Sequence, residues 1–289
     1  MQFSKSRKFI PIAIVGIILV STPIILMMLG PGPPNDVEPP EEIKITLLLV
    51  AGVMIEAKGL RIYIDPYLIP DNYTELPADI ILITHSHQDH YSLLDIRDIE
   101  NENTTFIMPE NMTEQIERHD AIAVNPGDSL TVDGVNITAF YLYTDDRPSI
   151  PSNHPPEANY TSYIIDIDGF KIFHAGDAKN MTEYEDLSDT FDVAFLPIYY
   201  DPAMGDIHAS LSPIVEVVET IRPRHIVPTH WNAFANSTFI LNYSSQIESL
   251  GCTILNLAFF ESIIFTIDGN LMESACWSSD GTLVLYRLE

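Results

Sequence analysis

Residues 84–91 read Thr-His-Ser-His-Gln-Asp-His-Tyr and follow an apolar run, Ile80-Ile81-Leu82-Ile83. A short apolar run bounded in this way reads as a buried strand. At its end four metal-competent side chains, His85, His87, Asp89 and His90, crowd into six positions. Imidazole and carboxylate suit zinc and similar divalent ions. Residues two apart at a strand end point the same way, so His85 and His87 can face one ion. If the chain then turns, Asp89 and His90 can face a second. The strand must therefore be buried along its length and open onto a polar site at its end.

Such a site needs further ligands, and three candidates lie just past other predicted strands. His154 sits in the irregular loop Ser152-Asn153-His154-Pro155-Pro156. Asp177 ends His174-Ala175-Gly176-Asp177, where glycine lets the backbone turn sharply beneath a ligand. His230 follows a strand in Val227-Pro228-Thr229-His230-Trp231. Ligand sites in open α/β sheets gather at such strand ends.

The elements alternate accordingly. Residues 43–50 and 60–64 flank the turn Ala57-Lys58-Gly59 and read as a hairpin. Strands are predicted over 80–84, 106–108, 130–132, 135–143, 160–167, 170–174, 193–197 and 225–228. Helices are predicted over 92–101, 112–120 and 213–221. Asp133-Gly134 and Asp168-Gly169 are hairpin-turn dipeptides. The pattern, strand-rich first and helix-interleaved later, is that of a layered α/β fold. No internal repeat or second linker divides residues 43–289, which read as one domain.

Ahead of it stands a different segment. Lys5, Arg7 and Lys8 precede an almost wholly apolar run over 9–29, a length that roughly spans a bilayer. Acidic residues Asp36, Glu38, Glu41 and Glu42 follow. This asymmetry predicts a single N-terminal transmembrane helix over residues 1–30, N-terminus cytoplasmic, and everything after it outside. A cleaved signal peptide, giving a secreted protein, is the rival; the run is long for one and shows no clear cleavage site. Residues 31–42, rich in proline and acid, form a stiff spacer. Eight Asn-x-Ser/Thr sequons, at Asn72, Asn103, Asn111, Asn136, Asn159, Asn180, Asn236 and Asn242, fit a glycosylated external domain. Cys252 and Cys276 are the only cysteines and can pair or stay free.

Net charge is −27. Such a surface repels phosphate polymers, and no Lys/Arg cluster offers a nucleic-acid footprint, so nucleic acid is excluded as a partner. Composition leaves the oligomeric state open.

Together, His85-x-His87-x-Asp89-His90, the later loop histidine, the Gly-Asp after a strand and the strand-end Pro-x-His resemble the metallo-β-lactamase superfamily. Ile64-Asp65-Pro66 ahead of the Ile80–Ile83 run is similar too. Phe173-His174-Ala175-Gly176-Asp177 and Leu196-Pro197-Ile198 look most like its lactonase-like branch, which includes relatives of ascorbate-6-phosphate lactonase. Ala51-Gly52-Val53 departs from the Gly-His turn common there, a difference that bears on substrate contacts.

The resemblance implies a four-layer αββα sandwich and two divalent ions, zinc foremost, with manganese or iron as alternatives. It places one ion on His85, His87 and His154, the other on Asp89, His90 and His230, with Asp177 bridging. Two ions about 3.5–4 Å apart hold a bridging hydroxide that attacks a lactone, ester, amide or phosphodiester bond. Asp89 orients the nucleophile and passes a proton. His208, in a loop that faces the active site in this family, donates to the substrate oxyanion or caps the following helix. The expectation is a membrane-anchored, extracellular hydrolase of a small molecule or lipid. The alternative is an oxidoreductase or a non-catalytic binding domain of the same fold.

Overall fold

The computed structural model describes residues 41–144, 151–187, 191–277 and 283–287, with side chains described to residue 272 except at 203. The apolar run over 9–29 and most of the spacer lie outside the described residues. Among those described, no helix is long and apolar enough to cross a membrane.

Strands β1 (Glu42–Leu47), β2 (Val53–Ala57) and β3 (Leu60–Ile64) form an antiparallel meander. Strand β4 (Ile80–Leu82) then runs parallel to β3. Helix α1 (Leu93–Ile99), β5 (Thr105–Pro109), α2 (Thr113–His119) and β6 (Ile122–Val124) extend the parallel part. The second sheet opens with β7 (Ser129–Val132), β8 (Val135–Leu142), β9 (Tyr160–Ile167) and β10 (Phe170–His174), all antiparallel neighbours. It continues in parallel through β11 (Val193–Pro197), α3 (Ile207–Ile221), β12 (His225–Thr229), α4 (Ala233–Ser249) and β13 (Thr253–Ile254). The chain finally returns to the first sheet as β14 (Ser262–Thr266), β15 (Leu271–Trp277) and β16 (Leu283–Arg287), with β14 against β1. The sheets hold nine and seven strands among the described residues.

Period-two alternation decides which face each strand buries. Ile43, Ile45, Ile55, Ile62, Ile80 and Leu82 from one sheet meet Ile137, Tyr163, Ile165, Ile172 and Phe195 from the other in one apolar core. The opposite face of the first sheet, through Met54, Tyr63, Ile81 and Met108, packs on Ile96 and Ile99 of α1. The opposite face of the second, through Phe173, Ala194 and Ile226, packs on Leu211, Val218 and Phe239 of α3 and α4. The four layers are the predicted αββα sandwich. The parallel strands β4 and β11 are buried on both faces, which is why their sequences are continuously apolar.

Two expectations need correction. The run over 43–50 is not one strand: β1 stops at Leu47, Val50 takes φ 61°, and the chain doubles back as β2. Helix α3 begins at Ile207, so Pro213 lies inside it rather than starting it; the Asp206 side chain accepts from the His208 N–H and caps the true start. Cys252, one of the two cysteines, is a buried free thiol packed among residues of α3 and α4. The hairpin turns are as predicted, with Asp133-Gly134 and Asp168-Gly169 at positive φ. Seven of the sequon asparagines are exposed, and Asn236 is half-buried in α4.

Candidate metal centre

The parallel pairing of β3 and β4 in the register Ile64↔Leu82 sets the next residues of both strands side by side. Those residues are Asp65 and the loop over 83–91. Asp65 is fully buried, and its Oδ1 accepts the Thr84 N–H at 2.8 Å. Its Oδ2 accepts from the Thr84 hydroxyl at 2.6 Å and from His90 Nδ1 at 2.7 Å.

These bonds settle two tautomers by proton counting. The Thr84 hydroxyl has one proton and gives it to Asp65, so its 2.9 Å contact with His85 Nδ1 must be a donation from the imidazole. His85 Nε2 is then a bare lone pair. His90 likewise spends Nδ1–H on Asp65 and turns Nε2 inward. A buried carboxylate thus aims two imidazoles, the role such groups play behind metal ligands.

The second sheet supplies the rest. Asp177 follows β10 through Gly176, which has φ 57° and sits so tightly that a Cβ would lie 2.6 Å from Leu142 Cδ1. His174 donates Nε2–H to the Ala51 carbonyl at 2.7 Å and accepts the Gly176 N–H on Nδ1 at 3.2 Å. It is a satisfied strand histidine that holds the Gly176-Asp177 turn in place. His230 follows β12 with φ 50°, and its N–H donates to the Val50 carbonyl at 2.7 Å. The Val50-Ala51-Gly52 turn of the first sheet therefore supports two segments of the second.

All seven predicted ligands converge. One atom from each of His85, His87, His154 and Asp177 falls in a cluster within 4.8 Å, and Asp89, His90 and His230 form a second. His85 Nε2 lies 3.1 Å from His87 Nδ1 and 3.3 Å from His154 Nε2. Asp177 Oδ2 lies 3.3 Å from His154 Nε2, while its Oδ1 lies 3.1 Å from His90 Nε2 and 3.6 Å from His230 Nε2. The two oxygens of one carboxylate face different clusters.

The donor set fits metal. His90 Nε2 and Asp177 Oδ1 are buried without a hydrogen-bond partner despite their separation. A lone pair facing a carboxylate oxygen is repulsive unless a cation or proton lies between them. Burial alone would lower His90, but Asp177 and Asp65 on its two sides outweigh it and raise its pKa well above the usual histidine value. The field that retains that proton also favours a cation. Burial, reinforced by the charge of His90, pushes His85 well below the usual value and keeps it neutral, the ligating form. Burial would raise Asp177, yet His230 and His90 hold it well below the carboxylate range.

A cavity of about 600 Å³ opens above the clusters. His87, Asp89, His154, Asp177 and His230 line its floor, and Tyr199 and Tyr200 its wall. Trp231 does not contribute: it stacks on Phe259 and donates to the Pro228 carbonyl. His208, expected as an oxyanion donor or a helix cap, is not among the described residues that line the cavity. It lies in the exposed first turn of α3, its Nδ1 paired with the Tyr243 hydroxyl at 2.9 Å.

Two residues escaped the sequence reading. Asp65 entered only through the resemblance of Ile64-Asp65-Pro66, with no role at the site. Lys179, two residues beyond Asp177, donates Nζ to the Ser210 carbonyl at 2.8 Å and the Tyr199 carbonyl at 3.2 Å. Burial pushes its pKa down to about 8, against the pull of Asp201 and Asp177.

A family model described as a beta-lactamase superfamily domain matches residues 59–231. The chain is similar to a UPF0173 metal-dependent hydrolase of Pyrococcus furiosus, 30% identical over 210 residues, 66% of this chain and 86% of that protein. A UPF0173 metal-dependent hydrolase of Thermococcus onnurineus is 34% identical over 190 residues, 60% of this chain and 78% of the relative. A crystal structure from Parabacteroides distasonis, assigned as a metal-dependent hydrolase, superposes with a TM-score of 0.62 at 26% identity, covering 74% of this chain and 92% of that one.

Proposed function

The chain belongs to the metallo-β-lactamase superfamily and is a metal-dependent hydrolase, and from that premise we propose that it works with two divalent ions on a lactone, ester, amide or phosphodiester bond. The observation that carries this reading is the division of labour at Asp177. Its Oδ2 faces His85 and His154, whose cluster also holds His87, and its Oδ1 faces His90 and His230. A carboxylate so placed suits a bridge between two three-ligand sets, the second completed by Asp89. Zinc matches the imidazole-rich donors, with manganese or iron as alternatives.

When bound, such ions supply Lewis acidity toward the scissile carbonyl or phosphoryl group and lower the pKa of water toward about 7. The chain's own residues do the rest. His85 and His90 present fixed lone pairs because Asp65 and Thr84 hold their other nitrogens. Asp89, half-buried at the cavity floor, is kept below the usual carboxylate value chiefly by its hydrogen bond to His230. It stays ionised near neutral pH, able to orient a water and take its proton.

The reading extends to location. The apolar run over 9–29 with its basic flank, and the eight sequons, support a membrane-anchored protein whose catalytic domain is extracellular and glycosylated.

Metal analysis of the purified protein should find about two ions per chain, and His85→Ala should lose at least one. A stoichiometry that never exceeds one ion rules out the dinuclear reading. Lactone, phosphodiester and β-lactam reporters then sort the bond. A single cysteine at position 37 should react with an impermeant thiol reagent on intact cells; protection from it overturns the topology.

A further inference from the structure

Thr84 and Asp65 fix His85 and His90 through hydrogen bonds at Nδ1. His230 is held by other means. Its backbone N–H is tied to Val50, and its Nε2 faces Asp89 Oδ2 at 3.5 Å and Asp177 Oδ1 at 3.6 Å. Among the described residues no side chain takes up its Nδ1, and two rings lie against it instead. The His90 ring stacks on it with centroids 5.7 Å apart, and the Tyr199 ring lies 5.0 Å away, tilted by 57°. His90 is anchored by Asp65, so the orientation of His230 also depends on what anchors Tyr199.

The sheet brings Tyr199 to this place. Strands β11 and β12 pair in parallel with Pro197 opposite Thr229, and the Ile198 N–H donates to the Thr229 carbonyl at 2.9 Å. Both chains then leave the same end of the sheet, one carrying Tyr199 and the other His230. Beyond that last bond the ladder no longer fixes the tyrosine.

Lys179 does. It follows the neighbouring strand β10, and its Nζ lies 3.8 Å from the centre of the Tyr199 ring, well within reach of cation–ring attraction. The same Nζ donates to the Tyr199 carbonyl at 3.2 Å and to the Ser210 carbonyl of α3 at 2.8 Å. One ammonium thus grips the ring and the backbone of a single residue and moors both to a helix. Ser210 is buried, and its hydroxyl accepts the Asp201 N–H at 3.1 Å, so the mooring is itself fixed. Asp201 and Asp177 both attract the ammonium.

Ammonium, phenol ring and imidazole form a series that begins two residues from the shared carboxylate. We infer that Lys179 and Tyr199 are positioning residues that orient His230 for the second ligand cluster. The tyrosine acts through its ring, not its hydroxyl. The ion concerned belongs to the dinuclear reading on which this rests; the ring arrangement stands without it.

The test uses the full-length protein, with zinc alone as the probe. Metal-free protein carrying isotope-labelled histidine nitrogens gives a spectrum in which His230 is assigned by its loss in His230→Gln. In Tyr199→Leu and in Lys179→Met the His230 nitrogens should shift and broaden, while those of His85 and His154 stay in place. Tyr199→Phe, which keeps the ring, should keep the wild-type pattern. Chelator competition should show one zinc step weakened about tenfold by Tyr199→Leu and the other held within about twofold. Because the two residues act in series, the double variant should lose no more than Tyr199→Leu alone. Thermal melts check that each variant folds, and Lys179→Gln replaces Lys179→Met if the latter does not. Unchanged His230 signals in Tyr199→Leu, equal weakening of both zinc steps, or effects that add in the double variant overturn the inference while leaving the hydrolase intact. Binding of a single ion by the wild type removes the dinuclear reading, and the nitrogen spectra then decide the inference by themselves.

Discussion

Asp65 and His90 are joined by a 2.7 Å hydrogen bond between two side chains that solvent does not reach. One lies at the end of β3, the other in the loop after β4, so the bond depends on the parallel pairing of those strands. Asp65→Asn keeps the shape but can present an amide N–H to His90 Nδ1, which then turns its proton-bearing nitrogen toward the metals. Metal affinity should fall about 10–100-fold. Competition against a chelator measures it; unchanged affinity removes Asp65 from the site.

Gly176 tests the geometry beneath Asp177. A methyl group there would lie 2.6 Å from Leu142 Cδ1 and 3.2 Å from Thr84, at φ 57°. Gly176→Ala should cost about 1–3 kcal/mol of stability and displace Asp177. Denaturant titration of metal-free protein reads the first effect, and metal stoichiometry the second.

His174 gives a pH signature. Burial lowers its pKa below the usual histidine value, so the folded state holds it neutral while the unfolded chain takes up a proton near its ordinary value. Below about pH 6.5 the unfolded state binds more protons, and stability falls as pH falls, by up to about 1.4 kcal/mol per unit for one group. His174→Gln can still donate to the Ala51 carbonyl but does not titrate. The stability difference between wild type and variant should therefore shrink from pH 7 to pH 5 in metal-free protein. A constant difference contradicts the assignment.

His208 predicts a small effect. Its Nδ1 bonds the Tyr243 hydroxyl on α4 and its side chain is exposed. His208→Ala should leave kcat/KM within about twofold and cost no more than about 1 kcal/mol, the worth of one exposed hydrogen bond. A hundredfold loss of activity would restore it to the reaction.

The ligands were legible because each sits beside a short local signal. His85, His87, Asp89 and His90 are nearly contiguous; Asp177 follows a glycine that must turn; His230 follows a buried strand. Asp65 was not legible because its meaning lies in the Ile64↔Leu82 register, which joins residues far apart in sequence. The start of α3 was misplaced because Pro213 reads as a first-turn residue, whereas the Asp206 cap lies well before it. Helix α4 went unread because only Ala235, Phe239 and Ile247 are buried along it, a thin stripe on a polar helix. The β1–β2 break was hidden in an apolar run whose turn is made by backbone conformation at Val50, with no proline or asparagine to mark it.

The turn at 50–52 carries a consequence for how this protein can change over time. Val50 and Ala51 engage the catalytic half only through their carbonyl oxygens, which every residue possesses. Ala51 is fully buried, which leaves little room for a larger side chain, and inserting or deleting one residue would shift both acceptors together, away from His230 and His174. Gly52, where a Cβ would come within 2.9 Å of the Asp65 carbonyl, fixes the spacing from the other side. Natural variants should therefore keep the loop's length and a small residue at position 51, and engineers seeking to graft new recognition into this protein should leave that length alone.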